Sequence, residues 1–482
     1  MSEQSILKKH SNTLIRLLIS MSIVLIIYFL MLLLDLNMFT INPYDSELND
    51  EAFYLKQIRS VMFHGLPKGY FGYNGSTAKI GGFGAWSPLL IYVYAFFGLL
   101  FRNSKYVVYI VNIIFVVLSL FTLFQYNKLN KKEMLIYLLP ICSCVGLRYT
   151  YSGMTEAIYY AAVILIFSSY ISTKKNYWGI LVILLASLTR PYFLLFLLLF
   201  FYKDKYKLKE YLVIGFLALL ILILYFIISN NFQAAYFFSL IRVDRYINCL
   251  KNEGIFLLIK TVFFDLFNTT KEIKKFIILN FSISDPAAVT YTLVALTGFY
   301  LLFSLILNRK KIYIVMLLML FLGYFNIVLI YYFQSGFRHM FIILLLMWYL
   351  SAHEMKNNKV FIIIFLILNI VFNNFYYNKS NRWTVTSNQE QYIIDDISMF
   401  IDNNDMLENT FYLVMDGDWN AYKAMNYLPD YYGYNLCLSE YIDTLIDLDY
   451  GYALLSNNSE KISLFSDKKI LFKNEYISIF EL

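Results

Sequence analysis

Asn49-Asp50-Glu51-Ala52-Phe53-Tyr54 sets two adjacent carboxylates a short way past the first long apolar run, Leu17–Leu36. A carboxylate at a membrane edge can act as general base toward a hydroxyl. The same pair also suits a helix start, because acidic side chains favour the N-terminus, and Glu51–His64 has helical periodicity. Farther along, Thr189-Arg190-Pro191 holds a guanidinium between two apolar runs, and Phe337-Arg338-His339 precedes another. Arginine keeps its charge and presents a planar fork of donors that matches phosphate. A charge inside a bilayer is costly and usually functional, which is the reading for Arg190. Arg338 and His339 read equally well as interface anchors. Thr155-Glu156-Ala157 opens an apolar helix, so its acid is either a helix start or a site residue.

The elements that position these residues are membrane helices. Hydrophobic residues make up 59% of the 482 residues and charged residues 15%, against about 25% charged in soluble chains. Mean hydropathy is +0.57. Apolar runs reach the ~20 residues that cross a core of roughly 30 Å. Leu17–Leu36 follows Lys8, Lys9 and Arg16 without a small-residue cleavage site, so it reads as an uncleaved first span with a cytoplasmic N-terminus. The net charge of +7 hides a segregation: residues 377–482 hold 17 acidic and 7 basic side chains. The basic surplus of the remainder sits in short loops, where it sets topology and implies no nucleic acid.

With the loops at Lys128/Lys131/Lys132, Lys174/Lys175, Lys203–Lys209, Arg309–Lys311 and Lys356/Lys359 cytoplasmic, about eleven spans fit. They include Tyr106–Tyr126, a return over Met134–Leu147, Thr155–Ser172, Tyr211–Ser229, Val289–Leu307, Ile312–Phe333, His339–Ser351 and Val360–Tyr376. Tyr177–Leu188 and Tyr192–Tyr202 form a hairpin whose arms rise about 18 Å each. Its Thr189–Pro191 turn therefore lies within the membrane, where only a protein-lined cavity tolerates such backbone. Pro88–Phe101 is too short to span and reads as a juxtamembrane helix. A competing map makes Pro88–Phe101 a span and Tyr177–Tyr202 one kinked helix, at the expense of the positive-inside rule.

The domain division is 1–376, with outer loops 37–87 and 230–288, and a small extracytoplasmic α/β domain at 377–482. That domain has helical periodicity over Glu390–Ile401, strands at Phe411–Met415 and Tyr452–Leu455, and a strand pair in Lys469–Phe480. Asp416-Gly417-Asp418 after the first strand reads as a turn, not as a metal-binding pair. Cys142, Cys144, Cys249 and Cys437 lack ligand spacing, and nothing supports a Cys249–Cys437 disulfide.

The order of these pieces resembles the GT-C glycosyltransferases, above all lipid A aminoarabinose transferases, protein O-mannosyltransferases and related bacterial envelope transferases. The resemblance rests on the Asp50-Glu51 segment, the Glu51–His64 helix, Gly65-Leu66-Pro67, and Gly82-Phe83-Gly84-Ala85-Trp86-Ser87-Pro88-Leu89-Leu90. Where those families have Pro-Pro-Leu, this chain has Ser87-Pro88-Leu89. More loosely, Glu156, Arg190 and the Arg338-His339 pair occupy places where such enzymes often carry acidic and basic residues.

The resemblance implies an inverting transferase at the outer face of the cytoplasmic membrane, moving a sugar from a polyprenyl-phosphate carrier to a cell-envelope glycan, lipid or protein. It implies Asp50 as base, with Glu51 orienting Asp50 or the acceptor. Arg190, Arg338 and His339 would hold the phosphate, with Arg59 and Lys68 as secondary candidates, while Glu156 and Tyr54 would shape the acceptor side. No cofactor is firmly implied, although Asp45, Glu47, Asp50 and Glu51 leave room for a divalent ion. An envelope-polysaccharide polymerase and a non-enzymatic lipid-linked glycan flippase are the alternatives.

Overall fold

The computed structural model describes residues 13–21, 49–66, 88–101, 106–141, 146, 149–172, 177–203, 206–232, 243–280, 286–330, 333–354, 388–404, 410–416, 433–438, 442–448 and 451–482. Residues 13–21 are helical. There follow α1 (Asn49–His64), α2 (Pro88–Leu100), α3 (Val107–Tyr126), α4 (Lys131–Leu138), α5 (Glu156–Ile171) and α6 (Trp178–Ser187). A 3-10 turn, Pro191–Phe196, runs into α7 (Leu197–Lys203), then come α8 (Leu208–Phe232), α9 (Val243–Glu253) and α10 (Ile255–Asn280). The bundle ends with α11 (Pro286–Asn308), α12 (Lys311–Ile330) and α13 (Phe333–Glu354).

Among the described residues, α3, Leu208–Ile228 of α8, Ala287–Asn308 of α11, and α12 are long and apolar enough to cross a membrane. The chain is a multi-pass membrane protein. The expected spans Leu17–Leu36 and Val360–Tyr376 lie outside the described residues, apart from 17–21.

Of the expected return span Met134–Leu147, residues 134–141 and 146 are described. Its helix α4 opens with a capping box, in which Asn130 and Glu133 satisfy each other's backbone N–H groups. It closes at Leu138, two residues before Pro140, whose ring removes a donor and crowds the preceding turn. The 230–288 segment, expected only as a loop, contains α9 and α10.

At the centre stand α5, buried at every position but Ile158, Leu165, Tyr170 and Ile171, and α13, buried without a break from His339 to Ala352. Helices apolar all round belong inside a bundle. Two glycines allow close approach. A Cβ on Gly179 would collide with Ser169 of α5 and Phe200 of α7, and one on Gly323 with Ile343 of α13.

The helix ends sort into two groups. At one end, Arg16 donates to the Gln125 side chain (2.9 Å) and Asn127 to Ser168 Oγ (2.9 Å). Lys203 donates to the Ser172 carbonyl (2.7 Å), Tyr137 meets His353 Nδ1 (2.7 Å), and Lys310 pairs with Glu354 (2.7 Å). The basic residues described at 128–132, 203, 206–209 and 309–311 all belong to this end. Lys128 and Arg309 follow their helices with positive φ, at 50° and 52°, placing a cation beside the negative helix terminus. The first turns of α3, α5 and α13 and the last turn of α6 form the opposite end.

The C-terminal region contains α14 (Asn388–Asn403), β1 (Thr410–Met415), β2 (Gly433–Leu438), α15 (Ile442–Ile446), β3 (Tyr452–Ser456), β4 (Ile470–Lys473) and β5 (Ile477–Glu481). The sheet order is β2-β1-β3-β5-β4, with β1 parallel to β2 and β3 and the other pairs antiparallel. β1 buries Phe411 through Val414 consecutively, as a strand covered on both faces must. α14 packs at the β4 edge, where Phe400 meets Phe472 and Asn474 donates to Asp396 (3.0 Å). Asp416, at the end of β1, accepts a hydrogen bond from Ser459; Gly417 and Asp418 lie outside the described residues. Cys249 and Cys437 are free thiols, both buried.

Candidate active site

Glu156 is the first residue of α5, and its side chain is completely buried. Arg190 sits in the hairpin turn, in extended backbone (φ −138°, ψ 87°), between the close of α6 and the Pro191 that opens the 3-10 turn. Proline there fixes φ and needs no donor, so the chain reverses without orphaning an amide. Arg338 and His339 lie in the second turn of α13. Three elements distant in sequence therefore meet at the end opposite the basic loops.

Both guanidinia address the same carboxylate oxygen. Glu156 Oε1 lies 3.8 Å from Arg190 Nη2 and 3.7 Å from Arg338 Nη1. The arginine side chains are only 9% and 14% exposed. Arg190 Nη1 is 2.9 Å from both ring nitrogens of His339. A guanidinium has only donors, so the imidazole is the acceptor. The same guanidinium stacks on Tyr159, 5.1 Å from the ring centroid. Tyr159 in turn donates to Thr189 Oγ1 (3.0 Å), tying the hairpin turn to α5. Tyr192 meets the His339 ring edge to face at 5.9 Å.

The trio of Arg190, Arg338 and Glu156 carries a formal net charge of one positive. The ion-pair distances exceed hydrogen-bond length, and both Glu156 oxygens are buried without a hydrogen-bond partner among the described residues. The Thr155 and Tyr160 hydroxyls beside it are in the same state. Buried polar atoms are almost always satisfied in native proteins. Their concentration beside two guanidinia suits a ligand that brings both hydroxyls and an anionic group.

A second network fixes the backbone that leads into Glu156. The Tyr94 hydroxyl donates to Asn112 Oδ1 (2.6 Å), and Asn112 Nδ2 donates to the carbonyls of Ser152 (2.9 Å) and Met154 (2.8 Å). Thus α2 and α3 hold the turn before α5. α1 packs on α2, with Tyr54 and Ile58 buried in the common core. Asp50 and Glu51 occupy the first turn of α1, one turn before Tyr54, and their side chains lie outside the described residues. Arg59 is half-buried on α1. Lys68, Asp45 and Glu47 also lie outside the described residues. Among the described residues, no group of three His, Cys, Asp or Glu converges in a metal-binding arrangement.

Of the expected site residues, Glu156, Arg190, Arg338 and His339 form one cluster. Tyr94, Asn112, Tyr159 and Tyr160 were not among them. Asn112 had a signal in the sequence: it is the lone amide in the apolar run Val107–Phe115, and polar side chains inside membrane segments usually serve packing or function. The tyrosines had none, since this chain contains 44 of them.

No protein-family model and no curated protein sequence matches the chain. Solved structures do resemble it. ArnT from Cupriavidus metallidurans bound to undecaprenyl phosphate aligns over 100% of this chain and 98% of its own, at 8% identity and a TM-score of 0.48. The Archaeoglobus fulgidus oligosaccharyltransferase in complex with Zn and sulfate aligns over 87% of this chain, at 10% identity and a TM-score of 0.44. The alignment spans 62% of the oligosaccharyltransferase's length. The functional reading that follows rests on the side chains just described.

Proposed function

We propose that the protein is an inverting glycosyltransferase that moves a sugar from a polyprenyl-phosphate carrier to a cell-envelope acceptor at the outer face of the cytoplasmic membrane. The observation that carries this reading is the convergence of Arg190 and Arg338 on one buried carboxylate. The positive-inside rule assigns the basic loops to the cytoplasm and the cluster to the outer side. Buried cations at such a depth are expensive unless they serve an anion. A phosphate bearing an apolar tail satisfies both conditions.

In the proposed reaction the acceptor oxygen attacks the anomeric carbon, and the bond from that carbon to the phosphate oxygen breaks. The hydroxyl proton passes to Asp50, at the start of α1. Charge growing on the departing polyprenyl phosphate is met by Arg190 and Arg338, with His339 holding Arg190 in place. Fixed donors aimed at developing charge are the largest source of catalysis in such sites. Glu51 orients Asp50 or the acceptor, Glu156 shapes the site between the two arginines, and Tyr54 shapes the acceptor side. Arg59 and Lys68 are secondary phosphate candidates. No step requires a divalent ion, and the acids at 45–51 leave room for one.

Envelope lipids from a deletion strain, complemented with wild type or Asp50→Asn, test the reading. Sugar-phosphate lipid accumulates in the deletion strain and persists with Asp50→Asn present at normal membrane levels. Unchanged sugar transfer by that variant rejects Asp50 as base. Accumulation of single glycan repeat units instead identifies a polymerase, and lipid trapped on the inner face identifies a flippase.

A further inference from the structure

We infer that the membrane-facing groove between α6 and α8 is a binding site for one anionic glycerophospholipid of the inner leaflet, separate from the site described above. The groove has a volume of about 460 Å³ and apolar walls, from Ile180, Leu181 and Leu184 on α6 and Val213, Ile214 and Leu217 on α8. Pockets of roughly 300–1,000 Å³ hold small-molecule ligands. α8 leans only lightly on the bundle: 6% of its membrane-crossing window is buried. The space between α8 and α6 is left for a ligand that is itself apolar.

The mouth states what the other end of that ligand must be. Tyr177, Lys209 and Glu210 line it, all in or beside the first turns of α6 and α8, at the basic-loop end. Glu210 forms no ion pair with Lys209 and offsets only one of the two exposed lysines at this mouth, Lys207 and Lys209. Oε1 accepts from the Tyr177 hydroxyl (2.5 Å) and Oε2 from the Lys207 amide (2.6 Å). Lys203 is occupied too, by the Ser169 and Ser172 carbonyls. Lys209 and Lys207 are exposed and make no ion pair among the described residues. A lipid whose acyl chain follows the groove brings its phosphate to the level of Lys209. A zwitterionic lipid carries a cation there as well, which Lys209 repels. The positive-inside rule sets this mouth in the cytoplasmic leaflet, where anionic lipids attract lysines near the surface. Arg190 lies thirteen residues beyond Tyr177, at the far end of α6, about 20 Å by helical rise.

The test is native mass spectrometry of the full chain in detergent micelles, titrated with phosphatidylglycerol or phosphatidylcholine of equal chain length. Phosphatidylglycerol binds about fivefold more tightly, the contribution of one near-surface lysine. Lys209→Glu abolishes the preference and Lys209→Arg retains it. Leu181→Trp, which fills the groove from an exposed position, weakens both lipids. Both sites are exposed, so folding is not at stake. Equal binding of the two lipids by wild type overturns the inference, as does a preference that survives Lys209→Glu. Two further results also overturn it: a dimer that buries the groove and binds no lipid, and occupation of the groove by undecaprenyl phosphate in preference to phosphatidylglycerol. None of these outcomes depends on sugar transfer.

Discussion

Replacing Glu156 by glutamine keeps the shape of the side chain and removes the charge that two arginines share. At 3.7 and 3.8 Å, each pair is worth about 4 kcal/mol in a medium of effective dielectric near 20, before desolvation is counted. Removing one partner of a buried ion pair typically costs about 3–5 kcal/mol, because the remaining charge stays buried and uncompensated. Here two guanidinia remain, each slightly exposed, so the lower part of that range applies to the ligand-free protein. The same change raises the net charge of the trio from one positive to two and removes the carboxylate that competes with a phosphate for the donors. Ligand binding stabilises a protein in proportion to the logarithm of its affinity. Undecaprenyl phosphate should therefore restore more stability to Glu156→Gln than it adds to wild type. Thermal unfolding in detergent, with and without the lipid, measures both quantities. If the ligand-free variant melts with wild type, or the lipid stabilises both equally, Glu156 is not the counter-ion of a phosphate site.

Three further outcomes follow from the geometry. Asn112→Leu orphans the Tyr94 hydroxyl and two buried carbonyls, each loss costing about 1–3 kcal/mol; sugar transfer should fall with stability, and a variant with wild-type melting and transfer would dissociate this network from the site. Gly179→Ala forces a Cβ onto Ser169 and Phe200, at about 1–3 kcal/mol for overpacking, whereas Gly215→Ala meets open space on α8 and gains up to about 1 kcal/mol of helix propensity. Thermal melts that rank the two the other way would contradict the packing of α6 against α5. Single cysteines at Lys132 or Lys310 should react with an impermeant thiol reagent only after the membrane is opened, and one at Leu66 in intact cells; the reverse labelling would invert the assigned orientation.

How much of this was legible in the sequence depended on whether a residue's neighbours were local. The hairpin was legible because Pro191 and a charge sit between two short apolar runs; α6 falls within the first expected arm, and the 3-10 turn with α7 covers the second. β1, β3 and the β4–β5 pair followed from apolar runs bounded by turns. β2 did not, because Gly433-Tyr434-Asn435-Leu436-Cys437-Leu438 mixes polar and apolar residues and gains its identity from pairing with β1. Of the Met134–Leu147 span only α4, the residues around Pro140 and Gly146 are described. α9 and α10 were missed because a charge-rich amphipathic segment between spans reads as a loop unless its periodicity is traced. At the site, the residue types pointed to Arg190, Arg338, His339 and Glu156 separately. That they share one carboxylate oxygen is a property of α5 and α13 lying side by side, and no local pattern encodes it.

The most direct test of the central claim is the affinity of the purified protein for undecaprenyl phosphate, compared with that of Arg190→Gln, Arg338→Gln and the double variant in the same detergent. Hydrogen bonds to charged groups contribute about 1.5–3 kcal/mol each, so each single change should weaken binding by roughly tenfold or more and the double change should abolish it. A folded double variant that binds the lipid phosphate as tightly as wild type would contradict the account.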